Sequence, residues 1–167
     1  IAEDASFDVK VLPAWRPDKA MNIEKPTYLE YMDQLSAVSG IKVSSFSDLC
    51  KALSNRMDFF ASMGCCVSDH ALEYVMYAPA SAEEIESIFA KRLAGNDVTK
   101  EEELKFKTAF MVNVGKEYTK RNWVMQLHYG CKRDNNAYMF EQLGPDTGYD
   151  CINNYAPSAQ MADFLNS

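Results

Sequence analysis

The sequence predicts an α/β fold in which parallel strands alternate with helices. Three short segments near 9–15, 65–69 and 123–128 have the composition of strands, and amphipathic helical patterns fill the stretches between them. Such alternation is typical of parallel β/α units. Three strands cannot close a barrel, and barrel domains usually take about 250 residues. The pattern alone therefore predicts either a small open sheet or part of a larger barrel.

Local signals support the first half of this pattern. Val9-Lys10-Val11-Leu12 is β-branched and bounded by Pro13, which predicts a strand. One helix is predicted from Pro26 to Gly40, because proline suits a first helical position and glycine a helix end. A second helix is predicted from the apolar stripe between Phe46 and Gly64.

Between the second and third strands, the sequence predicts two further helices within 81–122. Ser81 with Glu84 and Thr99 with Glu102 have the spacing of capping boxes. This helix pair is longer than a minimal crossover, which suggests a helical insertion. Beyond the third strand we expect a long polar loop at 129–151 and a short helix at 157–166.

Composition excludes several classes of protein. The 167 residues predict a single domain, and 47% of them are hydrophobic, enough to form a core. The net charge of −7 lacks the basic footprint of a nucleic-acid binder. No apolar run approaches the roughly 18 residues of a membrane helix, so we expect no membrane partner.

The five cysteines predict free thiols rather than disulfides or a zinc knuckle. Their number is odd, two are adjacent, and none forms a C-x-x-C pair. Free thiols fit a reducing compartment, so a cytoplasmic location is expected. Because the chain begins at Ile1 with no domain-opening element, we also expect it to be a fragment of a larger domain.

Polar side chains cluster where each predicted strand ends. Arg16 and Asp18 follow the first strand, Asp69 and His70 the second, and His128 the third. In parallel β/α folds the active site lies at the carboxyl ends of the strands. Both histidines of the chain fall there, which favours a functional site over chance.

Structural interpretations of the same residues stay open. A single histidine at a strand end is a satisfied polar residue about half of the time. Arg16 and Asp18 can form a turn with an ion pair, and residues 133–136 can be a solvated loop. An arginine suits a planar carboxylate, and a histidine suits a metal, a proton transfer or a sugar hydroxyl. The residues alone predict a small, anionic, polar substrate.

Four blocks resemble signature stretches of the uronate isomerases. They are Val11–Ala20 (VLPAWRPDKA), Val67–Leu72 (VSDHAL), Gln126–Gly130 (QLHYG) and Leu143–Asp150 (LGPDTGYD). The blocks lie in family order across nearly the whole chain. One block would be weak, whereas four in register are specific to the family.

The resemblance implies a (β/α)8 barrel of the amidohydrolase type, of which the chain would hold the fourth, fifth and sixth strands. It implies interconversion of glucuronate and fructuronate, and of galacturonate and tagaturonate, in sugar-acid breakdown. A divalent metal, usually zinc, would lie near the substrate. Its main ligands would be a His-x-His pair on the first strand and an aspartate on the last. Neither is in this chain, so we expect no metal ligand here and no activity from the chain alone.

The resemblance also implies roles for individual residues. The expected catalytic residues are His128, at the metal and substrate, and His70, at the fifth-strand position. The expected substrate-binding residues are Arg16, Asp18, Asp69, Arg133 and Asn135. The stretch 130–136 departs from the family pattern at Cys131, Lys132 and Asp134, although Arg133 and Asn135 still align. The expected partner is a small sugar acid, and assembly into a homo-oligomer stays open.

Two rival functions remain at this stage. One is a metal-dependent hydrolase of the amidohydrolase type, although the absence of a metal-binding Lys on the first strand of this chain speaks against a two-metal version. The other is a non-catalytic helical interaction module in which residues 81–122 present a binding face.

Overall fold

The computed structural model of the chain describes Ser6, residues 8–156 and residues 158–167. None of the helices in these ranges is both long enough and apolar enough to cross a membrane. In chain order the elements are α1 (Asp18–Met21), α2 (Tyr28–Ser39), α3 (Phe46–Ser62), β1 (Val67–Ala71), α4 (Ala82–Leu93), α5 (Lys100–Arg121), β2 (Val124–His128), β3 (Cys131–Lys132), α6 (Ala137–Leu143), β4 (Cys151–Ile152) and α7 (Ser158–Leu165).

Strands β1 and β2 form a parallel pair, which confirms the predicted strand direction. His70 lies opposite Leu127, and Ala71 lies opposite His128. Both histidines therefore lie near the carboxyl end of the sheet, as expected. Because side chains alternate across a strand, however, the two rings project from opposite faces of the sheet. His70 is fully buried against the helices, whereas His128 is exposed on the other face.

The predicted first strand is wrong in extent. Within 9–15 only Trp15 pairs with the sheet, through an isolated parallel bridge to Ser68. Val9 and Val11 are 63% and 54% exposed, so no packing surface holds them extended. Pro13 also lacks the N–H group that a ladder requires. The β-branched residues of this segment favour extended backbone locally, but among the described residues they lack the strand partner and packing surface that a strand requires.

Helix ends follow the local chemistry read from the sequence. The Thr99 side chain accepts from Glu102 N, and the Glu102 carboxylate accepts from Thr99 N in return, so the capping box of α5 is formed. Ser81 caps α4 by accepting from Glu84 N at 3.2 Å. Helix α2 ends at Gly40, whose φ of 70° is in the left-handed region that glycine adopts without strain.

The core lies between the helices and the inner face of the two-stranded sheet. Phe89 of α4 stacks on Phe106 of α5, with ring centroids 5.8 Å apart, and Tyr28 and Phe46 pack edge-on against both rings. Burying one such aromatic ring contributes about 1.5–3 kcal/mol. Helices α4 and α5, within the predicted insertion, therefore share the core of the rest of the chain.

The segment predicted to be one long polar loop at 129–151 is partly ordered. Strands β3 and β4 form a short antiparallel pair, and Asn136 caps α6 by accepting from Met139 N at 3.1 Å. Side-chain capping of this kind depends on exact backbone geometry, which composition does not reveal. Within the predicted helix at 157–166, α7 occupies Ser158–Leu165, and Pro157 lies outside the described residues.

Candidate active site at the carboxyl edge of the sheet

The outer face of the sheet carries a polar group at its carboxyl edge. Residues 69, 126 and 128 share this face because strand positions two apart point the same way and Asp69 lies opposite Gln126 in the register. The side chains of Arg16, Asp69, Gln126 and His128 are in contact there, and we call them the outer group. The group lies where parallel β/α folds bind their ligands.

Asp69 and Gln126 hold the His128 ring between them. His128 Nδ1 lies 2.8 Å from Asp69 Oδ1, and His128 Nε2 lies 2.7 Å from Gln126 Nε2. A carboxylate only accepts, so Asp69 favours a hydrogen on Nδ1, which leaves Nε2 to accept from the Gln126 amide. The side chain of His128 is 58% exposed. The arrangement places an oriented acceptor nitrogen at the sheet edge. This nitrogen is bonded to the Gln126 amide, which a ligand hydroxyl can replace.

Arg16 reaches the same point from the segment before α1. Trp15 N donates to Val67 O at 3.0 Å, and Asp69 N donates to Trp15 O at 2.8 Å. This bridge places the next residue, Arg16, beside the end of β1. Its Nη1 lies 3.5 Å from Asp69 Oδ2, and its side chain is 52% exposed. The guanidinium is therefore oriented by the protein while half of it faces solvent.

A second polar group lies on the buried face of the same strand. His70 is fully buried, with Nε2 3.1 Å from the Tyr118 hydroxyl and Nδ1 3.5 Å from Asp18 Oδ1. We call Asp18, His70 and Tyr118 the inner group. Both ring nitrogens of His70 face protein groups, so this histidine has no free face for a ligand.

Asp18 joins the two groups. Its Oδ2 accepts from Arg16 Nε at 3.0 Å and from Ala71 N at 3.0 Å. Burial by itself would raise the pKa of Asp18, but the donors on His70, Ala71 and Arg16 outweigh it and hold the pKa below its usual value. Asp18 thus stays ionised at neutral pH and ties Arg16 to the buried side of the sheet.

Arg133 and Asn135 bond within the β3–β4 segment instead. Arg133 Nη1 lies 2.9 Å from Asp146 Oδ1 and 2.8 Å from Asp150 Oδ2. Asn135 Nδ2 donates to Lys132 O at 3.1 Å. The segment is tethered to the chain after β1, since Gly130 N donates to Glu73 O at 3.1 Å. Of the seven predicted site residues, the structure brings Arg16, Asp18, Asp69, His70 and His128 together, and the contacts of Arg133 and Asn135 lie elsewhere.

Two residues of this arrangement were missed by the sequence analysis. Gln126 had a usable signal, since it lies two positions before His128 in a strand and so shares its face. Tyr118 had none, because it belongs to an apolar stripe of α5 that predicts only core packing. Its approach to His70, 48 positions earlier in the chain, is a tertiary contact.

The residues at this edge do not form a metal site by themselves. Within the ranges that the structure describes, no three His, Cys, Asp or Glu side chains are grouped so that they could hold a metal ion. His128 offers one nitrogen, and its neighbour Asp69 is already engaged with it. A metal at this edge would need ligands from outside these residues.

Parallel strands with oriented polar side chains at their carboxyl ends define the β/α class of ligand-binding and catalytic folds. The family model described as glucuronate isomerase matches residues 1–167, and the chain belongs to this family. Its resemblance to the uronate isomerases is thereby confirmed.

Relatives with curated names agree with this assignment. The chain is 71% identical to the uronate isomerase of Lachnospira eligens and 66% identical to that of Lachnoclostridium phytofermentans. Each match covers 100% of this chain but 36% of the relative. The chain therefore spans about a third of the length of the curated relatives it matches.

Solved structures extend the similarity to the fold. The crystal structure of uronate isomerase from Thermotoga maritima matches with a TM-score of 0.86 and 34% identity, over 93% of this chain and 35% of that one. That of glucuronate isomerase from Caulobacter crescentus matches with a TM-score of 0.79 and 26% identity, over 93% and 32%. The chain thus has the mixed helix and strand architecture of the corresponding part of uronate isomerases.

Proposed function

We propose that the complete enzyme containing this chain is an aldose–ketose isomerase of sugar acids. Its substrates are glucuronate and galacturonate, and its products are fructuronate and tagaturonate. The observation that carries the proposal is the outer group, in which a half-exposed arginine lies beside a carboxylate-oriented histidine at the carboxyl edge of parallel strands. The family assignment supplies the substrate class.

Arg16 binds the carboxylate of the sugar acid. Its guanidinium is permanently charged and can offer two parallel N–H groups to a planar carboxylate. Asp18 and Asp69 orient this side chain and leave about half of it open to solvent. An uncharged sugar would make no comparable contact, so Arg16 selects acids over neutral aldoses.

His128 contacts the reacting end of the sugar. The reaction moves a proton between C2 and C1 through an enediolate, and a positioned group must hold or carry protons there. With a hydrogen on Nδ1 facing Asp69, the ring accepts a hydrogen bond from a sugar hydroxyl at Nε2 in place of Gln126. Asp69 then acts by orienting His128, and the base that removes the carbon-bound proton comes from outside this chain.

The remaining predicted residues take different roles in this proposal. His70, being fully buried, orients its neighbours and does not touch substrate. Asp18 holds Arg16. For Arg133 and Asn135 the predicted substrate contact is supported by the family pattern alone, because a substrate would compete with Asp146 and Asp150 for Arg133.

The sheet belongs, in this proposal, to a (β/α)8 barrel, with β1 and β2 as neighbouring strands. Alternating residues support it: Met125 and Leu127 are half-buried towards the helices, whereas Val124 is 66% exposed on the outer face. In a closed barrel that outer face becomes the packed interior. The outer group would then line the mouth of the barrel.

A divalent metal, zinc by family resemblance, would polarise the carbonyl oxygen of the substrate when bound. The described residues do not supply a ligand set for it, so its ligands belong to other parts of the complete enzyme. The roles proposed here for Arg16, Asp69 and His128 do not depend on it.

The test compares Arg16→Lys and Arg16→Met in the complete enzyme, on a uronate and on the matching neutral aldose. A charge-assisted bond of about 1.5–3 kcal/mol predicts a loss of roughly ten- to over a hundredfold in kcat/KM on the uronate alone. Arg56→Met is the matched control, since Arg56 lies over Phe59 on the surface of α3, away from the sheet edge.

Two outcomes would contradict this role for Arg16. Near-normal kcat/KM on the uronate in folded variants would show that Arg16 is not the carboxylate contact. Equal losses of activity on both substrates, together with a lower melting temperature, would show that Arg16 serves as a structural ion-pair partner of Asp18.

A further inference from the structure

The hydroxyl of Tyr118 is the point at which helix α5 reaches the inner group. Tyr118 is 1% exposed, and its ring stacks on Trp123 with centroids 5.9 Å apart, so packing directs the hydroxyl at His70 Nε2, 3.1 Å away. Burial raises the pKa of Tyr118 well above its usual value, against the effect of Ser68 and Trp15. The hydroxyl therefore keeps its hydrogen throughout the neutral range.

Tyr118 and Asp18 lie on opposite sides of the His70 ring, one at each ring nitrogen. The hydroxyl can donate to Nε2 or accept from it, so it does not select the tautomer by itself. On the other side of the ring, Nδ1 lies 3.5 Å from Asp18 Oδ1, an electrostatic contact in which neither atom has a hydrogen-bond partner among the described residues. The tautomer with its hydrogen on Nε2 would direct a lone pair at this carboxylate oxygen, which is repulsive. Asp18 therefore favours a hydrogen on Nδ1, and in that tautomer Tyr118 donates to Nε2 and holds the ring from the other side.

The consequence reaches Arg16 through the second oxygen of the same carboxylate. Asp18 Oδ2 accepts from Arg16 Nε at 3.0 Å and from Ala71 N at 3.0 Å, while Oδ1 faces His70. A carboxylate is planar, so a change at one oxygen rotates the other. The orientation of His70 therefore affects the direction in which Asp18 holds the guanidinium.

We propose that Tyr118 is a positioning residue for Arg16, acting through the orientation of the His70 ring and of Asp18. The inference rests on the proposed function, because it assumes that Arg16 binds the substrate carboxylate. It adds a role for α5: besides filling the core, this helix supplies the hydroxyl that aligns the substrate-binding arginine. Tyr118 itself does not touch the substrate.

The experiment is a double-mutant cycle of Tyr118→Phe and Arg16→Met in the complete enzyme, measured on a uronate. With Arg16 present, Tyr118→Phe is expected to raise KM about three- to tenfold, the size of one net hydrogen bond, with kcat changed less than about twofold. In the Arg16→Met background the same substitution is expected to leave KM unchanged within about 1.5-fold, since coupled residues are not additive.

Tyr28→Phe is the matched control. Tyr28 is also 1% exposed, and its hydroxyl donates to a backbone carbonyl, Ala20 O, at 3.2 Å. It is expected to lower the melting temperature about as much as Tyr118→Phe, with KM near that of the parent enzyme. A KM increase from Tyr118→Phe that is equal in both Arg16 backgrounds, or no larger than that from Tyr28→Phe, would overturn the proposal.

A second pair of variants tests the same idea if Tyr118→Phe does not fold. In His70→Asn the amide nitrogen lies near the position of Nδ1 and can donate to Asp18 without Tyr118, whereas His70→Gln places its amide near Nε2. We expect His70→Asn to retain a lower KM than His70→Gln. Equal KM values would overturn the inference. A parent enzyme that does not isomerise uronates would instead refute the proposed function.

Discussion

The two histidines of this chain occupy neighbouring strands, and each faces an aspartate, yet their surroundings differ completely. His128 is 58% exposed and lies 2.8 Å from Asp69 on the outer face. His70 is fully buried and lies 3.5 Å from Asp18 on the helix face. An exposed ring held by a carboxylate is available to a ligand, whereas a buried ring with both nitrogens facing protein groups can only orient its neighbours. The two histidine–aspartate pairs are therefore expected to have different roles, ligand binding at His128 and positioning of neighbours at His70.

The largest expected effect is on activity at the outer histidine. His128→Asn in the complete enzyme removes a group positioned for proton transfer or hydroxyl binding, so kcat/KM should fall about 10²–10⁴-fold. Its stability should change by less than about 0.5 kcal/mol, because the proposed barrel places the ring at its mouth and not in its packed interior. Steady-state kinetics with urea unfolding of the same preparations checks both. An active His128→Asn enzyme would remove the main distinction between the two histidines.

The next effect is on stability at the inner histidine. His70→Leu leaves the Tyr118 hydroxyl buried without its hydrogen-bond partner, at a cost of about 1–3 kcal/mol, and removes the electrostatic contact of Asp18 Oδ1. The free energy of unfolding should therefore fall clearly. His128→Leu is the matched control and should be nearly neutral. If both leucine variants unfold at the same urea concentration as the parent enzyme, the inner group does not stabilise the fold.

Asp69→Asn should sharpen the comparison within the outer group. The substitution keeps the shape of the side chain but removes the charge that orients His128 and faces Arg16. Losing such a supporting partner typically costs about 10–100-fold in activity. We expect a loss in this range, smaller than that of His128→Asn, and reduced in the His128→Asn background to the part that acts through Arg16. Independent, multiplying losses would show that Asp69 acts separately from His128.

The smallest effect is a pH dependence that belongs to the inner group. The pKa of Asp18 is lower in the folded chain than its usual value, so its ionised form stabilises the fold above about pH 4. This contribution disappears as the pH falls through the lowered pKa. Asp18→Asn should therefore reduce the acid-side slope of stability against pH, by up to about 1.4 kcal/mol per pH unit. This slope is measured by urea unfolding at roughly pH 3–6. An unchanged slope would contradict the assignment.

Much of the fold was predictable because its signals are local. The capping box at Thr99 and the glycine end at Gly40 depend on residues within one helical turn, and both are formed. The strand at 9–15 failed for the complementary reason. Its β-branched residues favour extended backbone, but strand formation needs a partner and a packing surface, and neither is provided for Val9 or Val11.

The candidate site was predictable in its position along the chain and not in its geometry. Strand-end clusters indicated Arg16, Asp69, His70 and His128 because parallel strands end at one edge. Nothing local indicates that Arg133 bonds to Asp146 and Asp150, since these residues are 13 and 17 positions away along the chain. Such pairings depend on how the β3–β4 segment folds back.

Sequence patterning was sufficient to predict the α/β class, the parallel direction of β1 and β2, and the placement of both histidines at the carboxyl edge. These features follow from periodicity and chain order, which are properties of neighbouring residues. Packing in three dimensions, by contrast, buries His70 with Tyr118 and Asp18 and leaves His128 exposed with Asp69. The reason is that a strand has two equivalent faces, and only the helices packed against one of them make that face the interior.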